Sequence, residues 1–458
     1  IYFYAHCGSL DDACKLFVVL HRPDKVTFGV MMSAYTQHGH CEEAITLYKR
    51  MLLMNVKMDQ VAFLCTLRAC AGMSAIEPIR LVHDHIANCT FESDGYIGNV
   101  LVDAYAKCGS IDDARKVFCS LEKCDVVAWG AMIEGLVQNA DCEEALRLFN
   151  QMQQEKITPD RVVTISVLKA CCNGCLLYDG KIVHYFVILN RFESDPLINN
   201  SVIDMYAKCA DLEKAHKVLK DLPARNLIAW NALIEGYTKD GKDHEALNCF
   251  EEMQREGLAP DAVTFTCILK SCGKIRAIAK GEQIHEDIVA RGLLTKDIVL
   301  GNALVDMYGK CGQLGKAHKL LEELPDKHTC SWNALIAEYA QQGQGKEALD
   351  CFGNMQKESL IPDAVTFVCI MKACGVTQDV EKGKQIHEMV LSRDMLEKDI
   401  VLGNSLVHMY AKCGAPERAA RVLDELHVRD IISWNALIGG YAQQGQGHRA
   451  LEFFQRMQ

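Results

Sequence analysis

Residues 104–118, AYAKCGSIDDARKVF, decide the fold because the chain keeps returning to them. Residues 205–219 read MYAKCADLEKAHKVL, 307–321 MYGKCGQLGKAHKLL and 409–423 MYAKCGAPERAARVL, and 3–17 carry the related FYAHCGSLDDACKLF. Cys7, Cys108, Cys209, Cys311 and Cys413 are separated by 101, 101, 102 and 102 residues. The four tryptophans, Trp129, Trp230, Trp332 and Trp434, step by 101, 102 and 102, and His83, His184, His285 and His387 by 101, 101 and 102. Self-similarity at a fixed step signals stacked units that bury a core only against their neighbours.

Each period holds three related units, seen at DAVTFTCILKSCG (261–273), IVLGNALVDMYGKCG (298–312) and TCSWNALIAEYAQQG (329–343). We call them the His unit, the Tyr unit and the Trp unit after their recurring residues. Each has two apolar-periodic segments of about 11–14 residues around a short turn, the pattern of a helical hairpin. In the Tyr unit, Leu101, Tyr105, Ala114, Val117 and Phe118 keep helical spacing. The second segment opens with acids, as at Glu42–Glu43, Asp112–Asp113 and Glu143–Glu144, which suit a helix N-terminus. Prolines in LAPD (258–261) and LIPD (360–363) stop the helices. The expected fold is all-α: a solenoid of antiparallel helix pairs with no internal domain boundary. The cysteine before each hairpin turn is expected to pack as a small hydrophobe, with the following glycine ending the helix.

Composition agrees. The 458 residues are 49% hydrophobic and 24% charged with nine prolines, enough to build a large helical core. No apolar run reaches the ~18–20 residues that cross a bilayer, so no membrane partner is expected. Twenty-three cysteines in a long helix-patterned chain imply reduced thiols. The net charge of −11 runs against nucleic-acid binding, which usually has a basic footprint. The pattern is under way at Ile1 and interrupted at Gln458, as expected of a fragment, so the missing leader carries no information on location.

The motifs SWNALI (331–336), VTFTCILKSCG (263–273), GEQIHEDIV (281–289) and GNALVDMYGKCG (301–312) make the chain resemble a land-plant pentatricopeptide repeat protein of the PLS subclass over essentially its whole length. The Trp, His and Tyr units correspond to P, L and S motifs. The boundaries are a partial S at 1–24; P, L and S at 25–59, 60–94 and 95–125; then 126–160, 161–195 and 196–226; 227–261, 262–297 and 298–328; 329–363, 364–399 and 400–430; and a partial P at 431–458. The resemblance implies a right-handed α-α superhelix that binds single-stranded organellar RNA. One base lies on each motif, running 5′ to 3′ along the chain. It further implies a targeting array for C-to-U editing in mitochondria or chloroplasts, working with editing-complex proteins.

The fifth residue of the first helix is Asn99, Asn200, Asn231, Asn302, Asn333, Asn404 and Asn435. Asparagine is a poor helix former, so the recurrence needs a reason. A cap or local backbone bond is one. The resemblance implies another: the amide meets a base edge and the unit's last residue orients it. Those last residues are Asp125, Asn226, Asp261, His328, Asp363 and Asp430, with Thr266 and Asp297 a further pair in a His unit. In the family, Asn with Asp favours U, Asn with Asn a pyrimidine and Thr with Asp G. Gly29 and Gly130 stand at the fifth position without a side chain, so their units are unassigned. The His units, with Leu64, Ile165, Thr266 and Val368 there, are read mainly as spacers.

Three residues before the Asn lie Tyr96, Leu197, Ile228, Val299, Val401 and Ile432, with Cys330 the least apolar. They are either core or, as the resemblance implies, wedges between successive bases. Eight residues after the Asn come Lys107, Lys208, Lys310 and Lys412, read as a phosphate track, although Asp103, Asp204 and Asp306 share their helices. No cofactor or metal is expected: Cys70/His83, Cys171/His184, Cys272/His285 and Cys374/His387 give two ligands per unit where zinc needs four. The chain is not expected to be an enzyme. The nearest approach to a deaminase signature, His40–Glu42 with Cys172 and Cys175, lacks the proline and the spacing. The alternatives are an RNA cleavage, splicing or stability factor without editing, and a peptide-binding helical scaffold.

Overall fold

The computed structural model describes residues 1–458 apart from 21–22, 90–93, 295–296, 326, 394, 397–398 and the His6 side chain. Among the described residues it contains 28 α-helices, one 3-10 turn at Phe192–Ser194 and no strand. Among the described residues no helix is long and apolar enough to cross a membrane. The chain gathers into two compact units, Ile1–Gly236 and Tyr237–Gln458. Each is built of the same helical hairpins, stacked so that first helices contact first helices along the chain.

The hairpin follows from local chemistry. In the Tyr unit the first helix, Gly95–Lys107, starts at Asp94, whose carboxylate accepts the amide hydrogens of Tyr96 and Ile97. It ends at Cys108, followed by Gly109 at φ +77°. The Ser110 amide donates back to Tyr105 O (3.0 Å), the long bond of a Schellman motif. Gly312 and Gly414 repeat this turn, whereas Ala210 adopts φ +61° at the cost of a left-handed Cβ. The second helix, Ile111–Ser120, opens with Asp112 and Asp113 in its first turn, where the helix dipole favours negative charge.

The recurring cysteine is a packing joint. The Cys108 thiol points at Cys70 O (3.9 Å), Cys209 at Cys171 O (3.6 Å), Cys311 at Cys272 O (3.8 Å) and Cys413 at Cys374 O (3.3 Å). Each thus gives its weak S–H donor to a carbonyl near the end of the preceding first helix. Cys70, Cys171, Cys272 and Cys374 are themselves buried, and burial pushes each thiol up to about 12, which disfavours thiolate chemistry. Small residues bring first helices together: a Cβ on Gly135 would lie 2.3 Å from Ala106 Cβ, and one on Gly440 2.6 Å from Ala411 Cβ. Trp129, Trp230 and Trp332 fill the hairpin cores, Trp129 meeting Phe118 edge-on at 4.9 Å.

The repeating histidine also has a structural partner. His83 Nδ1 bonds the Tyr105 hydroxyl (3.1 Å), His184 Tyr206 (3.0 Å), His285 Tyr308 (2.9 Å) and His387 Tyr410 (3.2 Å). The second helix of every His unit is thereby tied to the first helix of the next Tyr unit. Burial holds the imidazoles of His184, His285 and His387 below their ordinary range.

This has a pH consequence. The unfolded chain, with histidines near 6.5, binds more protons than the folded chain below that value, so stability rises with pH there. The unfolding midpoint should therefore fall progressively as pH drops below about 6.5, before carboxylates titrate. Replacing His184, His285 and His387 by Gln should flatten the profile between about pH 6.5 and 5. A wild-type midpoint unchanged over that interval would refute the assignment of neutral, buried imidazoles.

Candidate nucleic-acid interface

A single carboxylate caps nearly every first helix. Asp24, Asp59, Asp94, Asp125, Asp160, Asp195, Asp261, Asp297, Asp363, Asp399 and Asp430 each accept a backbone amide of the helix that follows. At Asp125, Asp363 and Asp430 the same side chain also reaches back to the preceding unit. Asn99 Nδ2 donates to Asp125 (3.0 Å), Asn333 Nδ2 to Asp363 (3.0 Å) and Asn404 Nδ2 to Asp430 (2.9 Å). The Asp thus caps one helix and orients the amide of another at once. The Asn is neither a cap nor bonded to its own backbone: it is the fifth residue of a 13-residue helix and its amide crosses to the next hairpin. The Asp430 carboxyl is held below its ordinary range first by the Ser433 amide and further by Asn404. At Asp363 burial pulls upward, but the bonds from Thr366 and Asn333 together outweigh it.

Three other expected pairs, Asn302/His328, Asn200/Asn226 and Thr266/Asp297, differ. Asn302 accepts from the Ser331 hydroxyl of the next helix, and His328 caps without a side-chain bond. Asn226 accepts the Ala229 amide (2.9 Å), while Asn200 keeps a buried carbonyl oxygen without a partner. The Thr266 hydroxyl turns into its own helix onto Ala262 O (2.8 Å), and Asp297 holds the Val299 amide (2.8 Å). Asn231 lies half-buried on Leu227–Lys239, Asp261 forms a capping box with Thr264, and Asn435 is exposed on Ile431–Gln443.

The apolar residues three before the Asn are not core. Tyr96, Leu197, Ile228, Val299, Val401 and Ile432 are between 45% and 61% exposed. The same position in the remaining units, overlooked in the sequence, is equally open: Val26, Val61, Val127, Val162, Val263 and Val365. Their signal was an apolar residue two after each junction Asp. A cavity of about 300 Å³ lies among Tyr96, Asn99, Val127, Gly130, Asp160 and Val162. A second, of about 330 Å³, lies among Val26, Gly29, Asp59 and Val61. Both fifth-position glycines therefore floor a cavity. Added Cβ atoms would meet only Val61 at 3.4 Å and Val163 at 3.3 Å, so backbone packing does not require glycine there. Exposed apolar side chains bracketing an oriented amide make a surface that can take flat aromatic groups edge and face.

The lysines are less free than their spacing suggests. Lys107 binds Asp103 (2.8 Å), Lys208 Asp204 (2.8 Å) and Lys310 Asp306 (2.6 Å), each one helical turn back. Lys412 has His408 at that place and, among the described residues, no carboxylate within salt-bridge distance. Of the residues set aside as a deaminase signature, His40 pairs with Glu43 (3.6 Å) and Cys172 is buried, with burial pushing its thiol up.

Comparison with known proteins follows the repeat. A model described as the PPR repeat family matches residues 124–173, 225–274 and 327–375, and one described as PPR repeat matches 26–56, 99–126, 200–227, 302–328, 404–431 and 432–458. The chain is 34% identical over 458 residues to the pentatricopeptide repeat-containing protein At4g39530 of Arabidopsis thaliana, covering 99% of this chain and 55% of that protein. It is 32% identical to the mitochondrial At2g03380 (99% and 66%) and 30% identical to the chloroplastic At4g18520 (98% and 73%), both from Arabidopsis thaliana. It thus spans between about half and three quarters of these relatives' length. The crystal structure of the pentatricopeptide repeat protein PPR10 in complex with an 18-nt psaJ RNA element is similar in fold, with TM-score 0.69 and 17% identity over 100% of this chain and 78% of that one.

The shared carboxylate predicts unequal costs. Asp363→Ala loses a helix cap and the Asn333 anchor and should destabilise the chain by about 1–2 kcal/mol. Asn333→Ala leaves the cap and should cost less. In a double-mutant cycle read by urea unfolding, the two should couple by about 0.5–1.5 kcal/mol. Purely additive losses would mean that the Asn–Asp bond is not made in solution.

Proposed function

This chain belongs to the pentatricopeptide repeat family, and from that premise we propose that it binds single-stranded RNA sequence-specifically, one base per hairpin. The observation that carries the reading is the junction bond. Asp125, Asp363 and Asp430 each fix one amide hydrogen of Asn99, Asn333 or Asn404. The asparagine keeps a second N–H; Asn404 Oδ1 is buried and, among the described residues, has no partner, whereas Asn333 Oδ1 accepts the Thr366 hydroxyl (2.7 Å). At Asn404 the held amide thus has one donor and one acceptor left, which match the acceptor and donor of a uracil edge. The exposed apolar residue on the same face, three residues earlier, supplies a stacking surface tolerant of any base. The structural neighbour's 18-nt RNA element supports the same assignment.

In this reading the chain is of the PLS subclass, which the alternation of Trp, His and Tyr units supports. It serves as the targeting array of an organellar C-to-U editing factor, alongside editing-complex proteins. Relatives named chloroplastic and mitochondrial support an organellar setting. Asn99/Asp125, Asn231/Asp261, Asn333/Asp363 and Asn404/Asp430 specify U, Asn200/Asn226 a pyrimidine, Asn302/His328 a weaker one and Thr266/Asp297 a weak G. A peptide-binding scaffold gives no reason for amides held at hairpin junctions.

The test is a gel shift with an RNA carrying U at the Asn404 position, against a peptide pulldown. Asn404→Thr should weaken binding about tenfold or more and recover much of it when that single U becomes G, since one matched base contact is worth on the order of 1–3 kcal/mol. Equal binding of both RNAs by both proteins would mean that Asn404 serves only to join two hairpins.

A further inference from the structure

The ninth residue of the first helix carries a charge pattern of its own. In the His units it is Arg68, Lys169, Lys270 and Lys372, separated by 101, 101 and 102 residues. In the Tyr units it is Asp103, Asp204, Asp306 and His408, and in two Trp units Glu134 and Glu235. The ninth residue stands four after the fifth, on the same helix face. All four His-unit cations are exposed. Arg68 lines the same cavity as Tyr96 and Asn99, its guanidinium 3.2 Å from the Tyr96 hydroxyl, so this position opens onto the candidate base-binding face. Lys372 stands near enough to His408 to act on it: burial, then Lys412, then Lys372 hold that imidazole below its ordinary range.

Pairing separates these cations from three of the four lysines of the Tyr units. Lys107, Lys208 and Lys310 already hold Asp103, Asp204 and Asp306, and such a pair carries no net charge to a phosphate. Among the described residues, no carboxylate lies within salt-bridge distance of Arg68, Lys169, Lys270 or Lys372. A chain with 60 acids against 49 Lys and Arg leaves one cation unpaired in every third hairpin, on one face, at one position. Three of these hairpins lack a polar reader, since Leu64, Ile165 and Val368 cannot hydrogen-bond a base, and in the fourth the Thr266 hydroxyl is engaged by its own helix, in keeping with a weak preference.

Resting on the RNA reading above, we infer that Arg68, Lys169, Lys270 and Lys372 are the phosphate-contacting cations of the array. The His units then hold the RNA backbone once in every three nucleotides, while most base reading falls to the Trp and Tyr units. Phosphate contacts fix position without carrying sequence, so removing them should weaken all RNAs alike.

The test is the salt dependence of binding by the full 458-residue chain to a preferred and a scrambled RNA. Each lost contact to a single strand should reduce the slope of log K against log salt by about 0.7. Lys270→Gln should show one such step. Arg68→Gln with Lys169→Gln, Lys270→Gln and Lys372→Gln should show up to four, with the preference between the two RNAs kept and the thermal midpoint unchanged. Removing a neutral pair, Asp204→Asn with Lys208→Gln, should leave the slope as in the wild type. A fourfold variant with a wild-type slope, or one that loses its preference between RNAs, overturns this inference while leaving RNA binding intact. A wild-type chain that binds neither RNA overturns the RNA reading and this inference with it.

Discussion

The junction carboxylate ties the architecture to the surface it presents. Asp125, Asp363 and Asp430 end one hairpin, cap the first helix of the next and hold an amide four residues into the first helix of the one before. A cap fixes where a helix begins. A bond from that cap to Asn99, Asn333 or Asn404 fixes how the previous helix lies beside it. Orientation of the amide is therefore a by-product of stacking, needing no loop or separate domain to position it. Where the Asp is replaced, the two roles come apart. Asn226 still caps through Ala229, whereas His328 does not cap through its side chain and Asn302 turns to Ser331.

The remaining recurring residues keep that spacing from drifting. Gly135 against Ala106 sets how near two first helices come, the Cys108 and Cys413 thiols fill the hairpin corners, and the His–Tyr bonds lock each second helix to the next first helix. Charge is divided between surfaces. Acids open the second helices, and three of the four lysines near the ends of the Tyr-unit first helices are neutralised by their own aspartates. A net charge of −11 is thus compatible with a face whose few unpaired cations are regularly spaced.

Much of this was legible in the sequence because repeats print the same packing problem several times. The step of 101 or 102 residues gave the hairpins, the Gly109-type turn gave their corners, and the fifth-position asparagines stood out against helix propensity. Three features were not legible, each for a physical reason. The exposure of Val61, Val127 and Val263 was hidden because an apolar residue at a helix start is more often core. The His83–Tyr105 bond joins two periodic signals 22 residues apart, and period alone does not say which partners meet. The lysine spacing suggested a track, but whether an ammonium is free depends on a neighbour one turn away, and Asp103 takes Lys107. Hairpins of one kind build both compact units, 1–236 and 237–458.

The central claim is that asparagines held by junction aspartates read bases in chain order. It is tested most directly by selecting RNAs from a random pool with the 458-residue chain and sequencing those bound. From unit 95–125 to unit 400–430, read 5′ to 3′, the enriched site should run U, two unspecified positions, a pyrimidine, U, a weakly specified G, a pyrimidine, U, one unspecified position and U. A pool that gains no sequence, or one whose fixed uridines do not fall at this spacing, would contradict the account.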